Sequence, residues 1–237
     1  MSTPTPRDMP LREIVVRSAY ALVGVAVLGL GAAVLLVGGL GVDPFTALNT
    51  GISDLIGWDL GTTQLVTNAL LFAAVWVFGR NQIGPGTVIN MVLTGYFIGW
   101  FSDWLAGWVP EERTLFGAAI FFAIGLVIFD FGASAYISAG VGTAPYDAIA
   151  PIIVERTSWK YRNVRAVQDL ACVAGAVLVG GQVGVGTVVT AFFNGPLIEH
   201  YSEKFNSVAV ERLVRATGGA STAQHRTSDT TQATDGD

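Results

Sequence analysis

Apolar residues in this chain come in long unbroken runs rather than in alternation. Charged side chains are absent from 18–42, 60–79, 81–102, 114–129, 131–146 and 170–198. Runs of about 18 or more such residues match a helix that crosses a hydrocarbon core of about 30 Å. Gly, Pro and clusters of charge punctuate the pattern. Between them six long helices are predicted, at 17–40, 62–80, 85–106, 114–139, 163–181 and 186–203. Two further stretches, 44–56 and 145–156, read as helices too short to cross. At about 1.5 Å per residue they reach only about 18–20 Å. In the first, Phe45, Leu48, Ile52 and Leu55 share one face, opposite Thr46, Asn49 and Ser53. Pro44 suits the first helical position, with Asp43 as its cap. Both segments read as half-helices that lie in the interface or dip into the protein.

Composition sharpens this picture. The 237 residues are 51% hydrophobic and 13% charged, with a mean hydropathy of +0.54, whereas soluble domains carry about 25% charged residues. The expected class is an all-α membrane protein in contact with a lipid bilayer. The first apolar run exceeds a signal-peptide core of about 7–15 residues, so it is read as a retained span. Placing the N-terminus in the cytoplasm puts 12 of the 13 Lys and Arg residues inside and leaves only Arg113 outside. That excess fixes the expected orientation, with both termini cytoplasmic. Trp58, Trp104 and Trp108 then fall near the outer boundary, where interfacial aromatics belong. The net charge of −5 comes with no basic patch of the kind nucleic acid needs. Cys172 is the single cysteine, so no internal disulfide forms; a packed small hydrophobe is its expected role. The Thr-, Ser-, Ala- and Gln-rich stretch 218–237 is expected to be a disordered cytoplasmic tail.

The chain repeats itself. "GVDPFTAL" from Gly41 aligns with "GTAPYDAI" from Gly142 when Pro44 is set on Pro145. "GPGTVINMVLTG" from Gly84 matches "GVGTVVTAFFNG" from Gly184 at five of twelve positions. The separations agree as well, 40 residues from Pro44 to Gly84 and 39 from Pro145 to Gly184. A cytoplasmic segment, 1–16, thus precedes two membrane repeats, 17–107 and 113–205, each reading long span, half-helix, span, GxGT, span. Three crossings per copy make the second copy upside down relative to the first. Inverted repeats are a frequent plan among secondary transporters, whose sites lie at the repeat interface near broken helices.

The paired P-F/Y-x-A turns, the GxGT segments and the continuations "LTGYFI" and "FNGPLI" resemble the YczE/YyaS/YitT family of bacterial membrane proteins. The resemblance covers roughly 17–205 and is most specific at "GVGTVVTAFFNGPLIE", through Gly184, Gly186, Thr187, Gly195, Pro196, Ile198 and Glu199. The first copy departs from it, with Tyr96 where Pro196 stands in the second. The resemblance implies a multi-pass protein of the bacterial plasma membrane, some of whose relatives are discussed as exporters of small metabolites or antibiotics. It supplies no substrate and no catalytic residue.

Asp130 is the sharpest chemical candidate, with sixteen uncharged residues on either side. A carboxylate at that depth costs about 2.5–3.5 kcal/mol on insertion scales and is a functional residue by default. It is read as a proton carrier or, equally, as hydrogen-bonded glue between helices. Asp169 lies four residues after Arg165, the spacing of a helical ion pair. It also aligns with Asn68, which suggests a pair facing the central interface. Asp147 sits in the first turn of its half-helix, where the dipole favours a carboxylate, and aligns with Thr46. With Asn49, Thr50 and Thr143 these residues are candidate polar contacts for a solute. Asn90 and Asn194 follow the GxGT segments and favour a wet or hydrogen-bonded interior. The glycines Gly84, Gly86, Gly184 and Gly186 permit close backbone approach or an anion at the helix start; Pro44 and Pro145 set matching rigid turns.

The sequence carries no metal-ligand cluster, no cofactor motif and no Ser-His-Asp set, so no enzyme is expected. The expected function is secondary transport: proton-coupled export of a small organic solute by alternating access. The competing class is an accessory membrane protein that stabilises or positions a partner. A homo-oligomer or a membrane partner protein fits either class.

Overall fold

A computed structural model describes residues 9–109 and 114–217. Arg113 and the tail 218–237 lie outside the described residues. Every regular element described is helical: α1 Leu11–Gly38, α2 Pro44–Ile56, α3 Leu60–Phe78, α4 Pro85–Ala106, α5 Leu115–Ser138, α6 Pro145–Arg156, α7 Tyr161–Leu178, α8 Val185–Tyr201 and α9 Ser207–Ala216. A 3-10 turn, Arg80–Gln82, precedes α4, and a π-helical turn, Ser202–Asn206, joins α8 to α9.

Local chemistry sets the helix starts. Asp43 Oδ1 accepts the Thr46 N–H at 3.0 Å and Pro44 fills the first position of α2. Asp59 caps α3 through the Thr62 N–H at 2.8 Å, and Thr114 caps α5 through Gly117 at 3.2 Å. In α6 the equivalent of Asp43 is Ala144, which has no side chain to cap with. The half-helix bounds are those the sequence predicts. The first long helix instead begins at Leu11, six residues early, because Glu13 and Arg17 pair one turn apart at 2.8 Å and are buried together. The amphipathic α9 has no counterpart among the predicted elements.

The centre of the fold is the crossing of α1 and α5. Arg17, near the start of α1, donates to the Ala139 carbonyl at the end of α5 (3.2 Å), so the two helices run antiparallel. Their backbones touch: a Cβ on Gly31 would overlap Phe129, and one on Gly132 would overlap Leu28. Around this pair α4 packs on α1 and α8 packs on α5. Each half-helix crosses to the other copy, α2 against α7 and α6 against α3.

The GxGT segments explain part of that exchange. The Gly86 N–H donates to the Val141 carbonyl, and the Gly186 N–H donates to the Leu40 carbonyl, both at 2.8 Å. Gly142 has φ 118° and Gly41 has φ 111°, so a side chain would be strained at either. A Cβ on Gly142 would also sit 2.6 Å from Thr87 Oγ1, and one on Gly41 would sit 2.5 Å from Thr187 Oγ1. The start of α4 thus plugs into the turn before α6, and the start of α8 plugs into the turn before α2. Because the Gly86 and Gly186 amides are taken, they are not free to bind an anion.

Burial departs from that of a water-soluble domain in two ways: polar residues share the interior with the apolar core, and large apolar side chains cover the exterior. Thr46, Asn49, Gln64, Asn68, Asn90, Asp130, Asp169 and Thr190 are all buried, while Leu70, Trp100, Phe116, Leu170, Leu178 and Phe192 are exposed. An extended apolar exterior of this kind marks a surface that meets something other than water. Among the described residues three helices are long and apolar enough to cross a membrane: α1, α3 and α5, with mean hydropathies of 2.5, 1.4 and 2.2. α7 carries Arg162, Arg165 and Asp169 within 18 residues, and α8 has only 17.

Candidate functional site

The two half-helices meet at their N-termini. The Phe45 ring stacks on the Tyr146 ring with centroids 4.5 Å apart, and these are the residues that follow the two matched prolines. On the second copy's side the contact is ionic. Arg165 lies over the Tyr146 ring, 4.8 Å from its centroid. Its Nη1 reaches Asp147 Oδ1 at 2.9 Å, and its Nε lies 3.3 Å from Asp169. Tyr146 donates to Asp169 at 2.6 Å, and Tyr136 of α5 donates to Asp147. Gln168 Nε2 adds a bond to the Tyr146 carbonyl at 2.8 Å.

On the first copy's side the same places are neutral. Gln64 aligns with Arg165 and Thr46 with Asp147, and Gln64 Nε2 donates to Thr46 Oγ1 at 3.3 Å. Thr67 donates to Asn49 Oδ1 at 2.6 Å. The repeated contact is therefore a charged lock in one copy and an amide–hydroxyl contact in the other. Charge-assisted bonds are roughly twice as strong as neutral ones, so the two sides are mechanically unequal.

The predicted site residues divide accordingly. Asp147 and Asp169 join one network through Arg165, whereas Thr46 and Asn49 belong to the other. Asp169 is paired with Tyr146 and Arg165 rather than with Asn68, which is 3% exposed and whose Oδ1 has no partner. Thr143 turns away from Asp147, its hydroxyl donating to Gln82 at 3.2 Å. Asn90 is buried on α4, and Asn194 on α8 has a buried Oδ1 without a partner. Asp130 is 0% exposed and neither carboxylate oxygen has a partner. Pro44 and Pro145 each occupy the first position of a half-helix, and Gly84 and Gly184 each precede a GxGT helix. Sequence reasoning missed Tyr136, Tyr146, Gln64 and Thr67 as members of the site. The alignment of Gln64 with Arg165 was the available signal.

Chemically, the junction has an excess of acceptors. Asp147 and Asp169 share the guanidinium of Arg165, while Asp43, at the start of α2, keeps a buried Oδ2 without a partner. Burial also pushes the Asp43 carboxyl above its ordinary range. Among the described residues no group of three His, Cys, Asp or Glu side chains is placed to hold a metal ion.

Residues 15–203 match the family of unknown function DUF6198. The chain belongs to this family. The chain is also similar to the uncharacterized membrane protein YczE of Bacillus subtilis (strain 168), 31% identical over 188 residues that cover 79% of this chain and 86% of YczE. An uncharacterized protein of Haemophilus influenzae is 28% identical over 180 residues, covering 76% of this chain and 80% of its own length. The uncharacterized protein YyaS of Bacillus subtilis is 26% identical over 182 residues, covering 76% of this chain and 89% of YyaS. YczE and YyaS are the proteins whose family the GxGT and proline motifs resemble. No solved structure matches the chain.

Proposed function

We propose that the chain is a multi-pass membrane protein of two inverted three-span repeats that acts as a secondary transporter, exporting a small organic solute in exchange for protons. The observation that carries this reading is the meeting of the half-helix starts at Phe45 and Tyr146, in a fold that also buries the Asp130 carboxyl with neither oxygen partnered. Opposed broken helices at a repeat interface are where secondary transporters bind their solutes. α4, α7 and α8 cross with α1, α3 and α5 in this account, which leaves six spans and both termini in the cytoplasm of a bacterial cell. Asp130 is the proton carrier. Asp147, Asp169, Thr46, Asn49, Asn68, Asn90 and Asn194 line the pathway. Alternating access follows if the ionic lock at Arg165 and the neutral contact at Gln64 open in turn. No enzymatic role, metal or cofactor is proposed.

One observation favours a second reading. The seam between α1 and α5 is close-packed through Gly24, Gly31 and Gly132, as suits an accessory protein that positions a partner in the bilayer. Flux separates the two. In proteoliposomes with an imposed pH gradient, a panel of metabolites and antibiotics is expected to include a solute that accumulates against its gradient. Asp130→Asn should abolish gradient-driven accumulation, by about tenfold or more, while solute exchange survives. Net flux down the solute's own gradient, independent of counter-solute and of the pH gradient, would mean a passive channel. Failure of every solute would favour the accessory role, and pH-sensitive, gradient-driven flux in Asp130→Asn would exclude that residue as carrier.

A further inference from the structure

The GxGT alignment sets Tyr96 of α4 on Pro196 of α8, and the fold gives the two positions different roles. In the first copy α4 lies closely on α3. A Cβ on Gly95 would sit 2.9 Å from the Gln64 Cβ, and one on Gly61 would overlap the Tyr96 ring. The Tyr96 and Thr62 hydroxyls meet at 3.4 Å. In the second copy the matching seam, α7 against α8, is open, and the two helices touch far less extensively than α3 and α4 do. Gly195 stands in the place of Gly95; it is exposed, and a Cβ there would meet nothing within 4 Å. Arg165 stands in the place of Gln64, the side chain that faces Gly95. Gln64 is 1% exposed, whereas the Arg165 side chain is 30% exposed; the open seam accounts for the difference.

The end of α8 is held elsewhere. It runs into the π-helical turn, where Ser202 Oγ meets Ser138 Oγ of α5 at 2.6 Å. Asn206 closes that turn and is 1% exposed; it donates to Ser134 of α5 and accepts the Tyr20 hydroxyl of α1 at 2.6 Å. α9 follows, packed on α1 and α5 with Val210 and Val214 buried. Among the described residues no such extension follows α4. α8 also carries Pro196 in its interior. Its ring nitrogen has no N–H for the Phe192 carbonyl, so the helix bends there at low cost.

Resting on the transport reading above, we propose that the α7–α8 seam is the cytoplasmic gate of the pathway and stands open in this structure. α8 closes it by bending at Pro196 until it lies on α7 as α4 lies on α3. The Ser138–Ser202 and Tyr20–Asn206–Ser134 bonds are the latch that holds it open, because they and the closed seam compete for the same end of α8. These are neutral hydrogen bonds, each weak enough to break and re-form. Closure covers Arg165 as Gln64 is covered. Tyr96 is the matching bolt of the first copy, whose seam is shut.

The test reads distances and needs no solute. In a Cys172→Ala background, spin labels are placed at Val66 and Trp100, across the α3–α4 seam, or at their matches Val167 and His200, across the α7–α8 seam; all four positions are exposed. Pulsed dipolar distances are measured in lipid nanodiscs with the latch intact and in Ser202→Ala and Tyr20→Phe, each of which removes one hydroxyl of the latch. With the latch intact, the α7–α8 pair is expected at a longer distance than the α3–α4 pair. Each latch variant should raise the α7–α8 population at the α3–α4 distance by about threefold or more, as the loss of one neutral hydrogen bond allows. An unchanged α3–α4 distance shows that the variants are folded. Equal distances for the two pairs with the latch intact would overturn the open seam. A long α7–α8 distance that neither variant moves would overturn the gate and leave a fixed gap. A seam that moves while the solute panel gives no flux would uphold the moving seam and sink the transport reading.

Discussion

Arg165 shows how one side chain sets the character of a site. Its guanidinium spans Asp147 on α6 and Asp169 on its own helix and covers the Tyr146 ring. The i,i+4 spacing to Asp169 was visible in the sequence; the reach to Asp147, eighteen positions away, depended on how α6 packs against α7. Gln64 occupies the matching place in the first copy, so Arg165→Gln makes the two copies alike. It leaves two carboxylates without their cation, one of them well buried. With the Arg165 side chain 30% exposed, the expected loss of stability is about 1–3 kcal/mol, below the full cost of a fully buried broken pair. Thermal unfolding in detergent measures it. Arg165→Gln combined with Asp169→Asn should recover part of the loss; no recovery would mean that Arg165 acts through packing alone.

At the scale of elements, close approach matters more than hydrophobicity. The α1–α5 crossing relies on positions where even one methyl group overlaps the facing backbone. Gly132→Ala is therefore expected to destabilise by at least the 1–3 kcal/mol or so of overpacking. Gly99→Ala, where a Cβ meets nothing within 4 Å, should be neutral or slightly stabilising. Equal unfolding midpoints for the two variants would contradict the crossing. The sequence revealed the half-helices well because Pro opens both, and Gly57 closes the first while the charged stretch from Glu155 closes the second. It hid α9, a ten-residue helix whose apolar residues, Val210 and Val214 buried among them, are interrupted by Glu211, Arg212 and Arg215 and form no long apolar run. That helix is held by tertiary contacts: Tyr20 donates to Asn206 at 2.6 Å, and Asn206 donates to Ser134. A π-helical turn at this join marks a place where helical geometry yields to such contacts.

For the whole molecule, internal repetition was the most informative feature. Matching motifs about a hundred residues apart marked equivalent positions, and the fold adds what the alignment did not say, that some of these segments touch: Phe45 on Tyr146, Gly86 on Val141, Gly186 on Leu40. What the sequence could not convey is the exchange, in which each half-helix packs on the other copy's second long helix. Periodicity within a segment carries no information about its partner. If the copies are inverted across a bilayer, the ends of the two half-helices lie on opposite sides of it. The direct measurement is labelling of intact cells with a membrane-impermeant thiol reagent, in a Cys172→Ala background. A cysteine at Asp59, beyond the end of α2, should react, and one at Lys160, beyond the end of α6, should react only after the membrane is opened. Reaction at both positions, or at Lys160 alone, in intact cells would contradict the inverted arrangement and the alternating-access reading built on it.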